Sequence, residues 1–189
     1  MSDKCYGWVV ACIVAAVLAW VVPSYAARQH AHVHGVGQLN IVVDGTQATV
    51  ELHAPAEAIY GFEHQARSKA DEEKRAAALA RLREQIGAMV IFAADRGCQF
   101  TTQKIAVVED GEHERAPGPG QGGQAKKSGE HRAVHAEFAV ICDKPLAGSQ
   151  VKFGISKIFP GLKTVRVQAL SGARQIGAES TGEKGSLTL

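Results

Sequence analysis

The sequence predicts an α+β fold: a mostly antiparallel sheet of six or seven strands, one main amphipathic helix and a disordered insertion in a hairpin. Three observations predict it. Short segments alternate apolar and polar residues along the chain, a single stretch has helical periodicity, and a Gly- and Pro-rich run separates two of the strands. Of the 189 residues, 46% are apolar and 21% charged, the balance of a globular protein. The formal net charge of +2 excludes a strongly basic surface, so no nucleic-acid partner is expected.

The first element is an export signal, expected over residues 1–26. Lys4 precedes the apolar run Trp8 to Val22, Pro23 breaks it, and Ser24-Tyr25-Ala26 puts small residues at the −3 and −1 positions of a cleavage site. The alternative is a retained membrane anchor, but a run of about 15 residues falls short of the ~20 that span a bilayer. Cleavage leaves residues 27–189 as a single domain, expected in the periplasm with no membrane contact. Cys5 and Cys12 leave with the signal. Cys98 and Cys142 remain, and in an oxidising compartment a disulfide is their simplest fate. A pair of metal thiolates is the alternative, disfavoured by the absence of any Cys-x-x-Cys.

The mature chain begins with a His-rich stretch, residues 27–36. Gln38–Val43 and Thr46–His53 then read as two strands, with Leu39, Ile41 and Val43 on one face and Ala48, Val50 and Leu52 on its counterpart. Asp44-Gly45 between them signals a two-residue hairpin turn. Pro55 ends the second strand, and Ile59 to Phe62 reads as an apolar connector. Ser68, with Asp71 three residues on, opens a helix by a capping box. Ala76, Leu79, Leu82 and Ile86 make its apolar stripe, and Gly87 is the expected C-cap. Gln99–Val108 and Arg132–Cys142 read as paired strands. The segment between them, Glu109–Arg132, holds six Gly, two Pro and nine charged residues, too little apolar surface to offset ordering. Val151, Phe153 and Ile155, then Val165, Val167 and Ala169, mark two more strands around the turn Phe159-Pro-Gly-Leu162, with a weak strand near Arg174–Glu179.

Candidate ligands follow from register. A turn at Asp44 and Gly45 pairs positions that sum to 89. His53 then lies opposite Val36, with His34 diagonal to it and His32 further along the same polar face as Glu51. Imidazole and carboxylate donors alternating along a strand suit tetrahedral zinc. Hence His32, His34, His53 and Glu51 are the expected metal set, with His30 as an additional ligand; the other reading is a solvated polar stripe. If Cys98 and Cys142 are cross-strand partners, their hairpin sums to 240, and His135 and Glu137 share the face opposite the cysteines. His113, His131 and His135 form a looser second candidate, or simply a solvated loop. Glu63 and His64 either support a metal or cap the helix beyond them. No Gly-x-Ser-x-Gly, phosphate loop, dinucleotide fingerprint or His-Glu-x-x-His occurs, so no enzymatic activity is expected.

Three motifs carry a family resemblance: His30-Ala-His-Val-His-Gly-Val-Gly-Gln-Leu-Asn40, Gly61-Phe-Glu-His64 and Phe159-Pro-Gly-Leu162. In this order, across nearly the whole mature chain, they resemble the zinc-regulated periplasmic zinc-binding (ZrgA-like) family. The resemblance implies a small exported protein that binds Zn2+ and serves zinc acquisition, with a zinc importer component as partner. It matches His30, His32 and His34 to the family's N-terminal cluster, and Glu63 and His64 to its second motif. The chain departs from the family in its middle segment, which is Gly- and Pro-rich rather than rich in His and acids. That weakens the case for high-capacity buffering. The readings to be separated are therefore a zinc buffer or chaperone, an envelope interaction module with incidental histidines, and a copper-binding protein. The presence of only two Met argues against thioether copper sites.

Overall fold

A computed structural model describes residues 34–109, 131–182 and 184–189. The expected signal at 1–26, His30, His32, His113 and most of the expected insertion lie outside the described residues.

The hairpin read from the sequence is present as β1 (Val36–Asp44) and β2 (Gln47–Pro55). Its register differs from the expected one. Asp44 pairs with Gln47 and Gln38 with His53, a sum of 91 rather than 89. The turn is thus Gly45-Thr46, with Gly45 at φ 60° in the first turn position, where II′ hairpins take glycine. A shift of two leaves every side chain on its expected face. Leu39, Ile41, Val43, Ala48, Val50 and Leu52 are all buried.

The expected connector after Pro55 is instead a short helix, α1 (Ala56–Tyr60), closed by Gly61 at φ 88°. Three of its side chains beyond Ala56 are buried, which an extended connector would leave exposed. The long helix α2 (Lys69–Met89) starts as predicted. The Ser68 hydroxyl accepts from Asp71 N–H, and the Asp71 carboxylate accepts from Ser68 and Arg67 N–H. The Arg67 N–H bond is the main cause that holds the Asp71 carboxyl below its usual range; the Ser68 bonds and His64 act the same way. The far end of α2 departs from expectation. The helix runs through Gly87 to Met89, because only another turn buries the Met89 side chain completely. That burial outweighs the ~1 kcal/mol cost of an internal glycine. The buried stripe is Ala78, Leu82, Ile86 and Met89, while Ala76 is exposed.

The remaining elements are β3 (Val90–Phe92), β4 (Gln99–Glu109), β5 (Arg132–Ile141), β6 (Gln150–Phe153), α3 (Ile155–Ile158), β7 (Thr164–Ser171), β8 (Arg174–Thr181) and β9 (Ser186–Thr188). Six of the strands form the large, mostly antiparallel sheet, in line with the six or seven expected, and among the described residues three more lie outside it. These have three or four residues each, too short to display alternation. They form a second sheet, β3-β6-β9, while the large sheet runs β4-β5-β2-β1-β7-β8. All pairings are antiparallel except β1 with β7. Ile155, expected in a strand, opens α3, and its side chain is buried there. Leu82, Ile86 and Met89 of α2 share one core with Leu39, Val50, Phe138 and Val167 of the large sheet and Val151, Phe153 and Leu187 of the small one.

The β4–β5 hairpin carries the predicted sum of 240 from Gln99↔Ile141 to Thr102↔Phe138. An irregularity between Thr102 and Lys104 then moves it to 241. Cys98 and Cys142, just outside this ladder, form the expected disulfide. At the other end Glu109 pairs with Arg132, joined by a 3.0 Å ion pair.

A candidate metal centre at the start of the first strand

The corrected register changes which residues meet. Four residues before the last ladder pair, Gln38↔His53, His34 comes beside Glu57 in the first turn of α1. Indeed His34 Nδ1 lies 2.9 Å from Glu57 Oε2. The same nitrogen lies 3.7 Å from Glu63 Oε1. The other oxygen of Glu63 accepts from His131 Nδ1 at 2.6 Å. Among the described residues, His34, Glu57 and Glu63 are the one group of three whose ligand atoms all lie within 4.8 Å of one another.

The geometry suits a tetrahedral ion. Zinc bonds of ~2.0–2.2 Å to nitrogen and oxygen at the tetrahedral angle separate the two ligand atoms by about 3.4 Å. The two observed N···O separations, 2.9 and 3.7 Å, bracket that value. His131 grips the second oxygen of Glu63 and so fixes the direction of its first, the role outer partners play around metal ligands. The site is open: the side chains of His34, Glu57 and His131 are 73%, 52% and 54% exposed, and only Glu63, at 20%, is set into the surface.

Local structure explains how these side chains are held. Glu57 stands in the first turn of α1, directly after β2. Glu63 follows the Gly61 cap. On either side of it Phe62 and His64 stack with ring centroids 4.8 Å apart, and Phe62 meets Tyr60 edge-on at 4.6 Å. Burial raises the pKa of Tyr60, although Arg132 and Arg75 act in the opposite direction. His34 precedes Gly35, whose carbonyl accepts from the N–H groups of Lys163 and Thr164. The motif Phe159-Pro-Gly-Leu162 braces both parts. Phe159 and Leu162 are buried, and a Cβ on Gly161 would overlap the backbone of Ala58 in α1. The Gly161 carbonyl oxygen also lies 3.1 Å from where a Cβ on Gly35 would sit. The third motif is thus a brace between the elements that carry His34 and Glu57.

The other sequence candidates are placed as follows. Glu51 and His53 lie on the polar face of the large sheet, outside the triad, opposite Glu137 and His135 of β5. His135 therefore meets His53 rather than His131. His64 lies outside the triad as well; its Nδ1 contacts the Gln65 carbonyl. Sequence reasoning missed Glu57. No local signal marked it, because the hairpin ladder stops at Gln38↔His53 and Glu57 sits in the helix beyond.

A model of the ZrgA family zinc uptake proteins matches residues 31–189. The chain belongs to the ZrgA family. Comparison with curated proteins gave no match. As a ZrgA family member the protein has a zinc-related function, and its imidazole–carboxylate triad has the donor types that zinc takes. The structure contains no helix long and apolar enough to cross a membrane, among the described residues.

Proposed function

We propose that the protein is a periplasmic zinc-binding accessory protein, a buffer or chaperone rather than an enzyme. It holds Zn2+ as cargo on His34, Glu57 and Glu63 and passes it to a zinc importer component. The observation that carries this reading is the convergence of those three ligand atoms at an exposed position. Three protein ligands leave the fourth tetrahedral position to a donor from outside the triad, and the exposure of His34 and Glu57 gives that donor access. Such a site suits handover by ligand exchange better than permanent retention. The Cys98–Cys142 disulfide supports an oxidising compartment, consistent with an export signal removed after Ala26.

The test is isothermal titration of zinc into the protein starting at Ala27, compared with its His34→Ala, Glu63→Gln double variant. Both changes lie at the surface and should leave the circular dichroism spectrum unchanged. Loss of the tightest zinc equivalent is expected; unchanged stoichiometry and affinity in a folded variant would falsify the site.

A further inference from the structure

We propose that the solvent face of the large sheet carries a second divalent-metal site, built on the cross-strand pair His53–His135 and separate from the His34 triad. The two histidines are direct partners in the β2–β5 ladder. Their ring centroids are 4.1 Å apart and their planes inclined at 50°. A tetrahedral ion with ~2.0–2.1 Å bonds along the ring planes holds two imidazole centroids about 5 Å apart, so a small rotation of either ring from the observed spacing opens the pair to chelate. Two strands of one ladder, rather than a loop, hold the two rings side by side, so only a side-chain rotation separates them from a chelating arrangement.

The next outward-facing pair along the same ladder is Glu51 opposite Glu137. Like groups thus face like groups in two consecutive pairs, histidine on histidine and carboxylate on carboxylate. Opposed like charges weaken a sheet. Lys104 is the β4 partner of Glu137 and brings one positive charge to this face. A divalent cation on the imidazoles, with Glu51 or Glu137 turned toward it, relieves the rest. These five side chains line one concavity of about 330 Å³. Two imidazoles with a carboxylate are the donor set of a borderline divalent ion such as Zn2+, not of Ca2+ or Mg2+. The site shares no residue with the triad, so either can fail without the other.

The experiment titrates Zn2+ into the isotope-labelled protein starting at Ala27 and follows the imidazole nitrogens of His53 and His135 by NMR. It does the same in the His34→Ala, Glu63→Gln variant. Both rings should shift at saturation in both proteins. Equilibrium dialysis of His53→Gln, His135→Gln should then show one equivalent fewer than the unaltered protein. Rings that stay unmoved at saturating zinc, or shifts lost along with the triad, would overturn the proposal. Should the double variant not fold, the ring shifts in the unaltered protein and in the triad variant decide alone.

Discussion

Replacing both Cys98 and Cys142 by alanine tests the covalent cross-link of the fold. The bond joins residues 44 apart in sequence, at the mouth of the β4–β5 hairpin. For a closed loop of that size, the entropy removed from the unfolded chain corresponds to about 4 kcal/mol at 25 °C. Domains of this size lose 2–4 °C in Tm per kcal/mol, so the double variant should melt roughly 8–16 °C lower. Calorimetry should be run with chelator present, because bound metal adds its own stabilisation. The same relation makes a second, sharper demand. Deleting residues 116–129 from within the loop should change the contribution of the disulfide by only about 0.3 kcal/mol, since closure entropy follows the logarithm of length. A melting point lowered by less than about 3 °C would show that the strand ladder already supplies the constraint. A disulfide contribution that fell in proportion to loop length would refute the entropic argument itself.

Other expectations follow from the site and its supports. Gly161→Ala inserts a methyl group against the Ala58 backbone. It should cost about 1–3 kcal/mol in urea unfolding, and weaken zinc binding by displacing α1; full stability with full affinity would remove the bracing role of the motif. Ser68→Ala deletes the hydroxyl that caps α2 and should cost about 1 kcal/mol, read as a lower urea midpoint with an unchanged slope. In protein lacking residues 1–26, Tyr60 is the one tyrosine, so ultraviolet absorbance reports it alone. Its pKa is raised in the fold, chiefly by burial. Its stabilising contribution is therefore complete below the unfolded pKa near 10 and is lost as pH rises through the higher folded value. An ionisation midpoint at or below 10 in the native protein would contradict the burial argument.

The strand faces were legible in the sequence because each buried side chain needs only the correct parity. Leu39, Ile41, Val50 and Leu52 are buried under a sum of 89 or of 91, so hydrophobic pattern could not choose between the two registers. Asp44-Gly45-Thr46 permits both turns, and that ambiguity decided the site. A sum of 89 draws His34 toward His53, while under the observed 91 His34 lies beyond the ladder, beside Glu57 in α1. The β4–β5 register was legible because the two cysteines pin it from outside the ladder. The brace between Gly161 and Ala58 was not, since contact between residues so far apart leaves no local periodicity. Nor was the small sheet, whose strands are as short as three residues. His131 and Glu63 were each recognisable as candidates, but their meeting depends on β2 and β5 lying side by side, a long-range fact.

The ligands also differ in when folding can bring them together. His34, Glu57 and Glu63 come from one uninterrupted stretch, β1-β2-α1 and the residues after it, whose contacts span a few tens of residues. His131 must wait for a strand 68 residues beyond Glu63. Local pairings form early and distant ones late, because a long loop must close before its contacts reward it. The triad can therefore gather while the remainder of the sheet is still incomplete. Only when β5 docks beside β2 does Glu63 acquire its grip from His131. On the proposed reading, completion of the sheet is then the step that turns a loose set of donors into a defined one.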